Sequence, residues 1–323
     1  MADYGERYTD RAHIALVRRM RGVYRQAQEE IIEKLNAHHK HMTAMEKVKR
    51  AQMEAGQITE KQYFDWLYRQ KFIGKQWQDK VTSVATTLLT ANRQANAMIE
   101  GQKRAVFGEN ATWQAYQMEH DAGLDLSFGI YDSATVTRLL RDEPELLPRK
   151  VVNGKKDMAW NRKNIANAVT QGIIQGESIP EIANRIAKQT SSTNMKAMIR
   201  YARTAMTGAQ NAGRIEAMYD AQSMGIKVKK QWIATLDNRT RDAHADLDGQ
   251  VQEVDKPFES ALGKIMYPGD PSAAPGNVYN CRCTLGYVYP EYDEWKGQRR
   301  DNINGKLIED MTYREWKNAK AGV

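Results

Sequence analysis

Cysteine is nearly absent, since Cys281 and Cys283 are the only two among 323 residues. Two thiols at i and i+2 make no disulfide framework, and along a strand their Cα atoms lie near the bridging limit of about 7 Å. A fold stapled by disulfides is thereby excluded. Long apolar runs are missing as well: none approaches the roughly 20 residues that a membrane-spanning helix needs. The opening MADYGERYTD has no signal-peptide core. The expectation is a chain made and kept in a cytoplasm, with no membrane anchor. The local signatures of common catalytic designs are also lacking, with no Gly-rich phosphate loop, no His-Glu-x-x-His helix and no G-x-S-x-G elbow. Nor is the basic excess general. The net charge is +8, yet residues 227–323 carry 15 basic and 15 acidic side chains.

What is present is helix, in quantity. Residues 9–120 read as helix nearly throughout, with Gly56 as a stop and Thr59-Glu60-Lys61-Gln62 as a capping-box restart. The apolar stripe of the first helix takes in Ile14, Val17, Val23, Tyr24, Ile31 and Leu35. That of the second takes in Phe64, Leu67, Tyr68, Phe72, Trp77, Val81, Val84 and Leu88. His38, His39 and His41 lack metal spacing and read as surface. Helices this long and this polar enclose little core alone, so residues 1–140 are expected to be a helical, partner-binding region covered by another domain or another chain.

A linker is expected at 141–158, where two prolines and Asn153-Gly154 interrupt the periodicity. Helices are predicted at about 159–175, from the N-cap Ser178, and from about 193 to 224. The texture then changes to strand-like runs at Lys227–Thr235 and Cys283–Tyr289, separated by turn signals. The fold class is α+β: long N-terminal helices, then a compact domain over 159–290 of helices packed with a small, mainly antiparallel sheet. A C-terminal tail, 291–323, is predicted as short, charged pieces around Trp295 and Trp316.

Two basic clusters stand out. One is Arg7, Arg11, Arg18, Arg19, Arg21 and Arg25; the other is Arg149, Lys150, Lys155, Lys156, Arg162 and Lys163. Charge runs are most often solvated faces. The second cluster supplies the candidates for contact with nucleic-acid phosphates.

Between the two strand-like runs lies QWIATLDNRTRDAHADLDGQ. Asp237 is placed to N-cap a short helix, and Asp237, Arg241, His244 and Asp248 follow at steps of four, three and four, so that all share one helix side. Such a stripe is either a structural network, with Asp237 paired to Arg241, or a binding site. Asp248-Gly249 and Tyr267-Pro268-Gly269 are turn signals. Cys281 and Cys283, on a strand, point to one face and meet one neighbour, apolar packing or a metal ion. The reading favours a reduced, buried pair over zinc at His244, Cys281 and Cys283, because a closed zinc site wants four ligands and three are visible.

In this order the residues resemble the phage Mu protein F-like minor head, or head morphogenesis, proteins. The shared pattern is Arg203-Thr204, Trp232, Asp237 with Arg239-Thr240-Arg241 and His244, Asp248-Gly249, Tyr267-Pro268-Gly269, and Asn280-Cys281-Arg282-Cys283. It covers about residues 160–289. Two positions depart from it: Ala205 stands where many members have Glu, and Asn277 where many have His or Glu. The resemblance implies a virion component made in the infected bacterial cell, associated with the portal or capsid interior, and no established catalytic activity; no catalytic residue is assigned, and no cofactor is expected other than the zinc alternative at His244, Cys281 and Cys283.

Three functions are therefore set against each other. A structural head protein would have portal protein and major capsid or scaffolding protein as partners, with sequence-independent contact to packaged DNA, and would act in assembly, packaging or ejection. A metal-dependent enzyme would use the His244, Cys281 and Cys283 region. A free, non-specific DNA-binding protein would rest on the basic clusters, with no base-reading motif to support it.

Overall fold

The computed structural model describes residues 3–68, 75–123, 131, 135–137, 139, 154–290, 298–309 and 311–321. Their helices are α1 (Tyr4–Glu54), α2 (Glu60–Tyr68), α3 (Lys75–Ala122), α4 (Gly154–Ile174), α5 (Ile179–Ser223), α6 (Asp242–Ala245), α7 (Pro275–Val278) and α8 (Tyr313–Ala321). The strands are β1 (Lys229–Ile233), β2 (Val251–Glu253), β3 (Phe258–Ser260), β4 (Gly263–Ile265), β5 (Thr284–Val288), β6 (Gln298–Arg300) and β7 (Leu307–Glu309). The fold is α+β, as the patterning indicates. Two compact units result, one from 18–97 with 151–198, the other from 1–17, 98–150 and 199–323.

The first unit is helical. Ile31 and Leu35 of α1, Val84 and Leu88 of α3, Ile165 and Ala168 of α4, and Ile182 and Ile186 of α5 form one buried cluster, with Trp77 and Val81 packed against it. Each large aliphatic side chain so buried contributes roughly 1.5–3 kcal/mol of transfer free energy. A buried polar chain crosses this core: Tyr24 Oη donates to Asn92 Oδ1 at 2.5 Å, Asn92 Nδ2 to Asn194 Oδ1 at 2.8 Å, and Asn194 Nδ2 to Asn161 Oδ1 at 3.0 Å. The chain itself thus supplies the expected cover for this part of the N-terminal helices, and the boundary drawn at 140 does not separate them from α4 and α5. Within the first helix the stripe is shifted, because Ile14 is 62% exposed while Leu16 and Met20 are fully buried. Phe64, expected inside, is exposed.

Local signals at the helix ends are realised. The Thr59 backbone N–H donates to Gln62 Oε1 at 2.8 Å and the Gln62 N–H to Thr59 Oγ1 at 3.2 Å, a reciprocal capping box. At the start of α5 the Ser178 backbone N–H and hydroxyl both donate to Glu181 Oε2, each at 2.7 Å. The linker is shorter than expected on its C-terminal side, since Gly154–Asp157 already form the first turn of α4; residues 141–153 lie outside the described residues. The predicted break near 190–193 is absent. There Thr190 and Thr193 donate to the carbonyls of Ile186 and Gln189 at 2.6 and 2.7 Å, so their hydroxyls are satisfied inside one continuous α5.

The second unit adds the strands. β1 pairs antiparallel with both β2 and β5, in the order β2-β1-β5, and Trp232 stands opposite Leu285. The hairpins β3-β4 and β6-β7 complete the strand inventory among the described residues. Helices α3 and α5 approach closely in this unit, because a Cβ on Gly213 would lie 2.3 Å from the Phe107 carbonyl oxygen. Trp316 lies in the short, charged helix α8. Tyr313 and Trp316 of α8 are buried against Leu236 and Ala245, and residues 298–321 belong to the same unit as the sheet. The boundary set at 290 is corrected accordingly; Trp295 lies outside the described residues.

Candidate functional site

Helix α5 carries a polar stripe at Thr204, Thr207, Asn211 and Arg214 on a face otherwise built from buried alanines such as Ala202, Ala205, Ala209 and Ala212. Burial of these polar groups is tolerated because each meets backbone. Thr204 Oγ1 accepts the Asn280 N–H at 3.1 Å, and Thr207 Oγ1 donates to the Cys281 carbonyl at 2.8 Å. Asn211 Nδ2 donates to the Cys283 carbonyl at 3.2 Å while its Oδ1 accepts the Leu285 N–H at 2.8 Å. Arg214 Nη1 donates to the Leu285 carbonyl at 2.9 Å. The segment Asn280–Leu285 is thereby fixed along the helix.

Asn280 has φ 56°, the left-handed region that Asn tolerates better than most residues. Cys281 and Cys283 follow in backbone without regular structure just before β5, which begins at Thr284 rather than Cys283. The i, i+2 alternation holds. Both sulfurs face the same imidazole, with Cys281 Sγ 3.5 Å and Cys283 Sγ 3.6 Å from His244 Nδ1. All three side chains are buried, and their ligand atoms lie within 4.8 Å of one another.

The tautomer of His244 follows from its neighbours. Asn277 Nδ2 lies 3.1 Å from the Gly263 carbonyl, which can only accept, so the amide is oriented with Oδ1 toward His244 Nε2 at 3.3 Å. Nε2 is therefore the protonated nitrogen, and Nδ1 presents its lone pair to the sulfurs. Ser260 Oγ also donates to Asn277 Oδ1, at 3.0 Å. Asn277 acts here as the orienting partner of the imidazole. Trp232 packs edge-on against the same ring, 5.2 Å between centroids.

The expected helix beginning at Asp237 is not formed. Residues 237–241 make a turn, and α6 starts at Asp242 with extended Arg241 as its N-cap. The stripe of four residues at helical spacing is consequently dispersed. Asp237 pairs with Arg282 and with Arg239 rather than with Arg241, whose guanidinium donates to the Tyr279 carbonyl. Burial pushes the Asp237 carboxyl up, but hydrogen bonds from Arg282 and the Arg239 N–H, together with both charges, hold it at about 2. Thr240 Oγ1 donates to the Thr235 carbonyl, and Thr235 Oγ1 to the Arg282 carbonyl at 2.6 Å, which ties the Asp237 turn to the cysteine segment. Asp248 turns away from the cysteines. It accepts the Ala234 N–H at 2.7 Å and pairs with Arg299 at 2.8 Å.

The remaining motif positions are structural. Gly249, φ 79°, donates its N–H to the Trp232 carbonyl at 2.9 Å. Tyr267 is buried, and the Pro268 carbonyl accepts Asn211 Nδ2 at 3.0 Å. Gly269, φ 86°, seats the turn on α5, where a Cβ would come within 2.7 Å of Gly208.

A cavity of about 280 Å³ opens over the cysteine segment. Its lining includes His244, Cys281 and Cys283 together with Arg203, Arg239, Arg241 and Arg282. Among the described residues lining it, four are arginines and none is acidic. Asp237 and, more distantly, Asp10 offset part of that charge from outside the lining. Arg203 is half-buried, and burial lowers its guanidinium below the usual range. The motif sequence pointed to these arginines one by one, but not to their convergence. Thr207, Asn211 and Arg214 were missed altogether, although the polar stripe at 204, 207, 211 and 214 was an available signal; Asn277 stood out only as a departure from the family pattern.

The nucleic-acid candidates are elsewhere. Lys155, Lys156, Arg162 and Lys163 are exposed on α4, with Arg162 donating to Thr82 Oγ1 at 3.1 Å. Arg149 and Lys150 lie outside the described residues.

The polar face of α5 thus binds the Cys-Arg-Cys segment beside the Trp-led strand β1. Residues 163–286 match the family described as Phage Mu protein F like protein. The chain is 29% identical to the minor head protein GP7 of Bacillus phage SPP1 over 246 residues, 74% of this chain and 75% of that one. It is also 29% identical to a protein named NAD(+)--arginine ADP-ribosyltransferase EFV of Enterococcus faecalis, over 66% of this chain and 42% of that protein. An uncharacterized protein of Haemophilus influenzae is 28% identical over 64% of this chain and 46% of its own length. The chain thus spans less than half of these last two relatives. No solved structure gives a significant match.

Proposed function

We propose that the chain is a structural minor head protein of a bacteriophage, located in the head interior or at the portal vertex. Its partners on this reading are the portal protein and the major capsid or scaffolding protein, and its work lies in head assembly, DNA packaging or DNA ejection. The observation that carries this is the match to SPP1 GP7, a minor head protein, over three quarters of that protein's length. The likeness to the ADP-ribosyltransferase leaves more than half of that protein unmatched, so the activity in its name has no assigned place in the shared region. A structural role is accordingly preferred to a catalytic one. Packaged DNA would be met without sequence preference, through exposed lysines such as Lys155 and Lys156, because phosphate contacts position a protein but read no bases.

The test is affinity capture of the tagged full chain from phage-infected cells, with mass spectrometry, beside analysis of purified particles. Portal and capsid or scaffolding subunits should be recovered with it, and the chain should be present in the particles. A chain absent from particles and recovered without head proteins would overturn the assignment.

A further inference from the structure

We infer that His244 Nδ1, Cys281 Sγ and Cys283 Sγ form a zinc-binding centre whose fourth position faces the arginine-lined cavity and takes a phosphate-type oxyanion. The first argument is spacing. Tetrahedral coordination with Zn–S of about 2.3 Å and Zn–N of about 2.0–2.1 Å places nitrogen and sulfur roughly 3.5–3.6 Å apart. The two separations here are 3.5 and 3.6 Å. The second is valence. With its proton on Nε2, the imidazole offers one lone pair, which can accept an S–H from one thiol and not from both. A cation bound by two thiolates and that lone pair satisfies all three groups together. The third is orientation, since metal-bound His characteristically donates its other N–H to a fixed acceptor. Asn277 Oδ1 has that place at 3.3 Å, and Asn277 is itself held by the Gly263 carbonyl and by Ser260.

The shortage of a fourth protein ligand, which counted against zinc in the sequence, describes an open rather than a failed site. Closed structural sites use four protein ligands, whereas three with one open position leave room for an exogenous group. The cavity reaches all three ligands, and Arg203, Arg239, Arg241 and Arg282 also line it. Guanidinium groups match oxyanions through paired N–H donors. Arg282 and Arg239 share Asp237, and Arg241 donates to the Tyr279 carbonyl, so Arg203 is the lining arginine most available to an incoming anion.

The experiment uses the purified full chain. Metal content is measured by inductively coupled plasma mass spectrometry, and cobalt(II) is exchanged into the chain for visible spectroscopy. Stoichiometric zinc and thiolate-to-cobalt charge-transfer bands are expected, both lost in His244→Ala and in the Cys281→Ser, Cys283→Ser double variant. The wild-type cobalt spectrum stands by itself, independent of the folding of those variants: no charge-transfer band and no zinc in zinc-supplemented preparations would overturn the centre. Inorganic phosphate is then titrated into the cobalt form. A saturable change in the d–d bands, weakened several-fold in Arg203→Ala at unchanged metal content, is expected. A spectrum indifferent to phosphate would overturn the anion assignment, and an equal response in Arg203→Ala would overturn the part given to that arginine.

Discussion

Asp248→Asn should be among the most damaging single-atom changes in the sheet-bearing unit. The Asp248 carboxylate is wholly buried and accepts four N–H groups: Ala234 N at 2.7 Å, Tyr313 N at 2.6 Å, and Arg299 Nη1 and Nη2 at 2.8 and 3.0 Å. An Asn amide replaces one acceptor oxygen by an NH2 that faces donors, and it leaves the largely buried Arg299 without its counter-charge. Breaking a buried, hydrogen-bonded pair from one side costs about 3–5 kcal/mol. Arg299 retains the carbonyls of Met311 and Ala234, each at 2.7 Å, which puts the expected loss near the lower end, about 3 kcal/mol. With a urea m-value of about 2 kcal/mol/M, the midpoint should fall by roughly 1.5 M. The transition is followed by near-ultraviolet circular dichroism from the buried Trp232 and Trp316. A double-mutant cycle with Arg299→Met isolates the pair, and a coupling of about 1–3 kcal/mol is expected. A midpoint shift below about 0.3 M, or strict additivity in the cycle, would refute the reasoning.

Three further outcomes are expected. Asp237 has its carboxyl at about 2 against an ordinary 3.8, so its contribution of about 2 kcal/mol is fully present above pH ~4 and is lost as pH falls toward 2. Urea midpoints measured from pH 6 down to pH 2.5 should fall less steeply in Asp237→Asn than in wild type, and an unchanged slope would contradict this. Gly213→Ala and Gly269→Ala should each lower Tm by several degrees, since the added Cβ meets backbone at 2.3 and 2.7 Å, while Gly22→Ala, with nothing within 4 Å, should be neutral or stabilising. Equal Tm values for all three variants would remove the close-approach argument. Charge reversal of Lys155 and Lys156 to Glu should weaken retention on duplex DNA at low salt irrespective of sequence; tight binding to one particular sequence would show a different mode of contact.

Where a feature is decided by neighbours in sequence, it was legible. Thr59 to Gln62, Gly176 with Ser178, and the alternation of Cys281 and Cys283 each depend on residues within three positions of one another. Trp232 could be placed on a strand for the same reason. Features decided by distant partners were not legible. The hydroxyls at 190–193 look like a break until the carbonyls of α5 accept them. The same holds at the chain end, where nothing local says that Trp316 finds Leu236 and Ala245, or that Arg299 finds Asp248. Asp237 gave the clearest misreading: its spacing to Arg241 fits a helix, yet Arg282, 45 residues away, outcompetes that partner and the turn at 237–241 replaces the helix.

The same long-range logic accounts for why motif pieces some 80 residues apart act together. Arg203 and Thr204 are adjacent on α5, where successive side chains diverge by about 100°. One can therefore bind the backbone of the cysteine segment while the other faces the cavity. Thr204 holds the Asn280 N–H, the left-handed turn at Asn280 directs the chain into Cys281, and the i, i+2 alternation brings Cys283 back to the same imidazole. Arg282, between them, is held by Asp237 on the cavity wall. Replacing Thr204 by Val would keep the shape and remove the acceptor, so the Asn280 N–H would lose its partner and the thiols their register against His244. The dipeptide thus couples position to chemistry: Thr204 sets where the sulfurs lie, and Arg203 sets the charge that an incoming ligand meets.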